Sequence, residues 1–294
     1  MTTSQNGRST EKRELQALSS TQEETDSRVI LYCMYAMEKG YDNVRVKSPD
    51  SDIFFILLHF APSLDNIVVF FDTGTGNRKR LINMSELARG FTQLYCIALM
   101  ALHAFTGCDT SSAFKGVGKV KPIKLLQKVP RFQSVLARLG DDWEVPVDLM
   151  DDLEDFTCSM YSKPRFSKVD ELRHFTLKQK CGVDAQLSAS KNVDMGTIPP
   201  CRACLQQHIR RVNYQVGVWK RANRANPDVP DPTDGHGWTM NGDSLEPLWT
   251  DAEILPQSLV DIMQESVDSD EESELDDDQL PSDYLLFDNS SDDD

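Results

Sequence analysis

The sequence predicts an α/β fold: a doubly wound sheet layer with partly parallel strands, then an all-helical C-terminal extension and a disordered acidic tail. Helical and strand periodicities alternate from residue 24 to about residue 105. After Pro122 every periodic stretch has helical spacing, and from about residue 266 the chain is acidic and sparse in apolar side chains.

The elements follow in order. Residues 1–22 (MTTSQNGRSTEKRELQALSSTQ) are too polar to bury much and lack the apolar centre of a secretory signal, so disorder is expected there. From Glu24 to Lys39, Val29, Ile30, Cys33, Met34 and Met37 recur at helical spacing, acids open the run and Gly40 closes it. NVRVK reads as a strand and DIFFILLHF as a buried helix. NIVVFF reads as a fully buried strand, after which DTGTGN turns the chain back as RKRLIN. Helices are expected from near Ser85 and over 93–105, and then in IKLLQKV, RFQSVLARL, VDLMDDLEDF, KVDELRHFTLKQK and the long stretch from Cys204 to Asn226. Residues 226–250 hold four prolines and two tryptophans, which predicts an ordered loop pinned by aromatics.

Of the formal net charge of −16, residues 268–294 supply 13 acidic groups and no basic ones, leaving about −3 for everything before them. The low isoelectric point therefore says little about the partners of the folded part. The most apolar run, YCIALMALHAF, is about half the roughly 20 residues a membrane helix needs, so a soluble, intracellular protein without membrane association is expected. Seven scattered cysteines without an export signal point to free thiols rather than disulfides.

Three places set acids at the ends of apolar elements: Glu24 and Asp26 before the first helix, Asp50 and Asp52 after the first strand of the α/β span, and Asp109 after the helix ending in HAFTG. In α/β sheets the carboxyl ends of strands and the adjoining helix starts form the ligand crevice. Carboxylates crowded there stay ionised together when hard cations neutralise them, which selects Mg²⁺ or Mn²⁺ and phosphodiester hydrolysis. Taken singly, each acid has a plainer reading. Glu24 and Asp26 suit the helix dipole, Asp52 a helix cap, and Asp109 a cap for a helix through TSSAF.

The series E-x-D at 24 and 26, D-S-D at 50–52, and GCD at 107–109 followed by GVGK at 116–119 resembles the core of PIN-like, flap-endonuclease-type 5′ nucleases. The resemblance implies that Glu24, Asp26, Asp50, Asp52 and Asp109 bind metal, with Asp50, Asp52 and Asp109 catalytic, and that the backbone at Gly116, Val117 and Gly118 grips phosphate. It divides the chain into a disordered 1–22, a PIN-like core with a helix-turn-helix hairpin over 23–135, a helical extension with its Pro/Trp-rich loop over 136–250, and a short helix with the acidic tail over 251–294. Over residues 23–250, HAFTGCDTSSAFKGVGK, FFDTGTGNRKRLIN and HIRRVNYQVGVWKRAN also resemble a group of animal proteins from genomes rich in mobile elements, implying transposon ancestry. The chain departs from the nuclease pattern in one respect: the family's opening strand, with its further metal-binding aspartate, has no counterpart in residues 1–22.

Between 115 and 131 lie six basic residues and no acid; Lys115, Lys119, Lys121 and Lys124 flank the GVG turn, where they would contact phosphate, with DNA and hence a nuclear location expected. A second basic run, Arg210, Arg211, Lys220, Arg221 and Arg224, reads as a solvated helix face. Cys201, Cys204 and His208 form C-x-x-C-x-x-x-H, and His236 is the one nearby candidate for a fourth zinc ligand. The reading favours thiols packed against the core over a zinc centre. The tail, with Tyr284, Leu285, Leu286 and Phe287 set among acids, suits a basic groove or a partner protein, or this protein's own basic face.

Overall fold

The structure is a computed structural model that describes residues 2–5, 9–12, 15–161, 166–181 and 194–252. The acidic tail, with the partner surface expected of it, lies outside the described residues. The chain divides into one unit over Met1–Asp251 and a second from Ala252 onward.

The first unit opens on an antiparallel hairpin of β1 (Thr2–Gln5) and β2 (Ser9–Lys12) within the stretch expected to be disordered. Gln22 is buried as well: its amide donates to the carbonyls of Ala222 at 3.1 Å and Arg224 at 2.5 Å, fixing the segment before the first α-helix to the far end of the unit's chain.

Helix α1 (Thr25–Glu38) buries Ser27, Ile30 and Cys33, and ends where Gly40, at φ +75°, donates to Met37. β3 (Asn43–Lys47) then leads into α2 (Ser51–Phe60), which returns the chain to β4 (Val68–Thr73) parallel to β3, with Val44 beside Val69 and Val46 beside Phe71. β5 (Arg80–Asn83) comes back antiparallel on the other edge, giving the order β3-β4-β5. The sheet is thus mixed, as the alternating pattern predicts. β4 departs from the expectation of full burial, since Val69 and Phe71 are covered while Val68 and Phe70 on the opposite face stay partly open.

α3 (Met84–Arg89) is capped by Asn83, and α4 (Gln93–Phe105) by Thr92, whose hydroxyl accepts the Tyr95 amide at 3.1 Å. Ten of the thirteen residues of α4 are buried, so this short apolar run is the central helix, packed on α2 and on three of the helices that follow. The helices that follow are α5 (Val120–Lys128) and α6 (Arg131–Ala137), which reach the boundary expected at 135, and then α7 (Val147–Met160), α8 (Val169–Cys181) and α9 (Arg202–Lys220) of the extension. One core runs from Ile30 through the sheet to Trp219 and Ala222 on the last helix and its end. The Pro/Trp-rich loop contains a hairpin that its composition hides, β6 (Trp238–Asn241) with β7 (Ser244–Pro247) around Gly242. Among the described residues no helix is long and apolar enough to cross a membrane.

Candidate acidic site and phosphate surface

The carboxyl end of β3 sets up the first pair of acids. Ser48 ties the strand end to β4 through Asp72 O, and its hydroxyl accepts the Asp50 amide at 3.0 Å. Asp50, rather than Asp52, is the cap of α2: its Oδ1 accepts the Asp52 amide at 2.8 Å. Asp52 points inward and is 5% exposed; its Oδ1 takes the Nε2–H of His103 at 2.7 Å, and the His103 ring stacks on Phe55 at 4.3 Å between centroids.

Glu24 holds the N-cap position of α1 without a capping bond, because its carboxylate is engaged elsewhere. Both oxygens accept the amide of Gln215 from α9, at 3.2 and 3.1 Å, and the Gln215 carbonyl accepts the Thr110 hydroxyl at 2.8 Å. Three distant segments, at 24, 110 and 215, are thereby joined beside Asp109. Burial raises the Glu24 carboxyl above its usual range, the Gln215 bond opposes this, and Asp26 and Asp52 push it further up. Asp26 is raised by burial first and then by Asp50, Asp52 and Asp109 in turn. The acids picked out from the sequence therefore lie in one electrostatic field, contributed by three separate segments. As they stand, no three His, Cys, Asp or Glu side chains among the described residues converge closely enough to hold a metal ion.

Asp109 is exposed on a turn closed by Ser111, which accepts the Cys108 amide at 3.1 Å and donates to Ala104 O at 2.5 Å. Gly107 allows this turn: its φ is +112°, and a Cβ there would sit 2.8 Å from that of Ala113. The residues after Asp109 are not helical, so the capping role weighed for Asp109 is absent. In the GVG segment Val117 is buried, Gly116 has φ +79°, and a Cβ at either glycine would meet open space. The glycines thus leave the backbone accessible before the N-terminus of α5, which starts at Val120, two residues ahead of Pro122.

The lysines divide. Lys121 and Lys124 are exposed and have no ion-pair partner among the described residues. Lys115 is exposed and paired with Asp194 at 2.7 Å. Lys119, expected on the phosphate surface, turns inward instead; its ammonium donates to His103 O at 3.0 Å, Gly107 O at 2.6 Å and Thr106 Oγ1 at 3.3 Å. An ammonium is the donor that the free carbonyls at the end of α4 need.

The second basic run is a solvated face only in part: Arg224 is exposed, whereas three of its members turn inward. Arg211 is 2% exposed and donates to Gly237 O and Leu248 O, Lys220 donates to Ala137 O at 2.6 Å, and Arg221 to Gly140 O at 3.0 Å. Of the zinc candidates, Cys201 and Cys204 are half-buried thiols, His208 gives its Nε2–H to Phe105 O at 2.9 Å, and His236 lies against Tyr214 at 5.2 Å between ring centroids. The described cysteines are free.

Sequence reasoning missed His103 and Gln215. His103 sits in a strongly apolar run, the one available hint that a buried polar partner exists, whereas nothing near Gln215 in the chain points to Glu24. Comparison with protein-family models, with curated proteins and with solved structures gives no match.

Proposed function

We propose that the chain is a divalent-metal-dependent, structure-specific nucleic-acid-binding domain of the PIN-like, flap-endonuclease-related type, hydrolysing phosphodiesters in DNA. The observation that carries this reading is Asp26, whose carboxyl is raised first by burial and then by the charges of Asp50, Asp52 and Asp109. That excess of negative charge is what a divalent cation relieves, and carboxylate oxygens are the donors Mg²⁺ and Mn²⁺ prefer. The carboxylates of Asp26 and Asp109 have no hydrogen-bond or ion-pair partner among the described residues, so their oxygens are open to an ion, with Asp50, Asp52 and Glu24 completing the set. Bound there, the ion supplies a Lewis acid for water and for the leaving oxygen.

The protein's own part is positional. Gln215 holds Glu24 in one orientation, His103 holds Asp52, and Asp50 is fixed by its cap bond. Lys121 and Lys124, beside the accessible Gly116 and Gly118 backbone, suit the phosphates of a duplex held away from the cut. A nuclear location follows from DNA as the partner.

Nicking of supercoiled plasmid with Mn²⁺ tests the reading. Asp50→Asn keeps the helix cap and removes the charge, and Asp109→Asn removes it from an exposed turn, so both variants fold. Each is expected to lower the nicking rate by about 100-fold or more. Nicking that survives chelation and both substitutions overturns the proposal.

A second reading has its own support. Asp52 is engaged by His103 and Lys119 by the end of α4, the pattern of a scaffold whose acids hold the fold. A non-catalytic nucleic-acid or protein interaction module derived from a transposon nuclease would bind DNA without metal dependence and without nicking.

A further inference from the structure

A cavity of about 430 Å³ lies between the segment that leads into the GVG turn, the start of α9 and Trp249. Among the described residues its lining includes Arg173, Arg211 and Lys115, the last of which is paired with Asp194, and no aspartate or glutamate. Arg211 is the unusual member. It is 2% exposed, its hydrogen bonds go to two backbone carbonyls, and among the described residues no carboxylate neutralises it. A buried, unpaired guanidinium is costly, and an anion in the adjoining space offsets that cost. Cys204 lines the same cavity and does not supply the anion, since burial lifts its thiol to about 11.

The remaining walls narrow the ligand class. Arg173 donates one Nη1–H to Pro199 O at 2.6 Å, leaving the rest of its planar fork for a phosphate. Trp249 is 59% exposed, with Arg211 over its ring at 5.5 Å, so an aromatic surface stays open beside the cations. His208 donates through Nε2, which makes its buried, unpartnered Nδ1 an acceptor for an N–H or O–H group. Sites for small molecules run from about 300 to 1,000 Å³, so the volume fits one nucleotide unit.

We propose that this cavity binds a nucleoside monophosphate, its phosphate on Arg173 and Arg211 and its base against Trp249. The residues differ from those of the acidic pocket, so the proposal stands whether or not the chain hydrolyses DNA. The unit arrives either as a free nucleotide or as the 5′-phosphorylated end of a strand.

Calorimetric titration of the full chain with AMP, UMP, adenosine, inorganic phosphate and a 5′-phosphorylated trinucleotide tests it. Arg211 also anchors the β6–β7 region, so the variants are Arg173→Ala and Trp249→Ala at the rim, each checked for folding by circular dichroism. Saturable binding of a mononucleotide or the trinucleotide is expected, weakened about tenfold by either substitution, because base stacking and charge-assisted bonds are each of that size. Tighter binding of the mononucleotides assigns the free source, and tighter binding of the trinucleotide the strand end. The proposal is overturned by no binding of either at about 1 mM, by phosphate alone or adenosine alone binding as tightly as AMP, or by binding that both substitutions leave unchanged.

Discussion

Lys119 and Lys121 stand two residues apart with the same side chain and opposite work. Lys119 loses exposure to satisfy His103 O, Gly107 O and Thr106 Oγ1, and burial lowers its ammonium below the usual range. Lys121 stays in solvent. Replacing a buried, bonded cation strands its acceptors, which costs about 1 to 3 kcal/mol, while an exposed lysine contributes little to stability. Lys119→Met is therefore expected to lower the urea midpoint, and Lys121→Ala to leave it in place. DNA binding as a function of salt separates the roles from the other side: Lys121→Ala reduces the slope of log affinity against log salt by about 1, as loss of one phosphate contact does. An unchanged slope in Lys121→Ala would remove α5 from the proposed phosphate surface.

At the scale of elements, α9 gathers distant parts of the chain by turning polar side chains inward. Asn213 accepts the Gly140 amide at 2.8 Å and donates to Asp142 O and Trp143 O, both at 2.9 Å, which brings the loop after α6 onto the helix. Gly217 makes room for that loop, since a Cβ there would lie 2.7 Å from the Trp143 ring. Two effects oppose each other in Gly217→Ala. Helix propensity favours alanine by about 1 kcal/mol, and overpacking a close contact costs about 1 to 3 kcal/mol. Trp143 is held against Arg221 at 4.2 Å, so its ring has little freedom to yield, and the variant is expected to be net destabilised in thermal unfolding. A raised Tm would show that the ring swings clear. The same helix shows what the sequence makes legible. α1, α2 and α4 follow from apolar spacing and, for α1, from Gly40, although the cap of α2 is Asp50 where Asp52 was expected and the Thr92 cap of α4 went unread; the acids were found because each sits at the end of such an element. Arg211, Asn213 and Gln215 look like surface residues because their partners, from Glu24 to Leu248, lie far along the chain, and no periodicity encodes a side chain meeting a distant carbonyl. The β6–β7 hairpin is hidden for a related reason: its strands of four residues are too short for alternation to register.

For the whole molecule, pH sets two groups of buried charges against each other. Burial, aided by the charge of Lys220, brings His59 down to about 4, and burial brings His208 to about 4, against about 6.5 for an unfolded chain. Between those values the unfolded state takes protons that the native state refuses, so stability falls as pH drops from about 6.5 towards 4, by about 3 kcal/mol per imidazole. Glu24 and Asp26 act the other way. Their native carboxyls are raised, so the native state binds protons first and regains stability as pH falls towards their unfolded values. Asp26 is half-exposed and screened by water, which keeps its share small, whereas His208 is deeply buried and the Nδ1 of the partly buried His59 is covered. The imidazoles are therefore expected to win, and the urea midpoint to decline from pH 7 to pH 4.5. His59→Leu isolates the effect, because the Nδ1 of His59 is buried without a partner and its loss leaves no acceptor stranded. That variant should match the parent chain or exceed it at pH 7 and show a shallower acid decline. A midpoint that holds steady or rises across the window would mean that the carboxylates dominate, and that Glu24 and Asp26 are under more repulsion than the hydrogen bonds of Glu24 relieve.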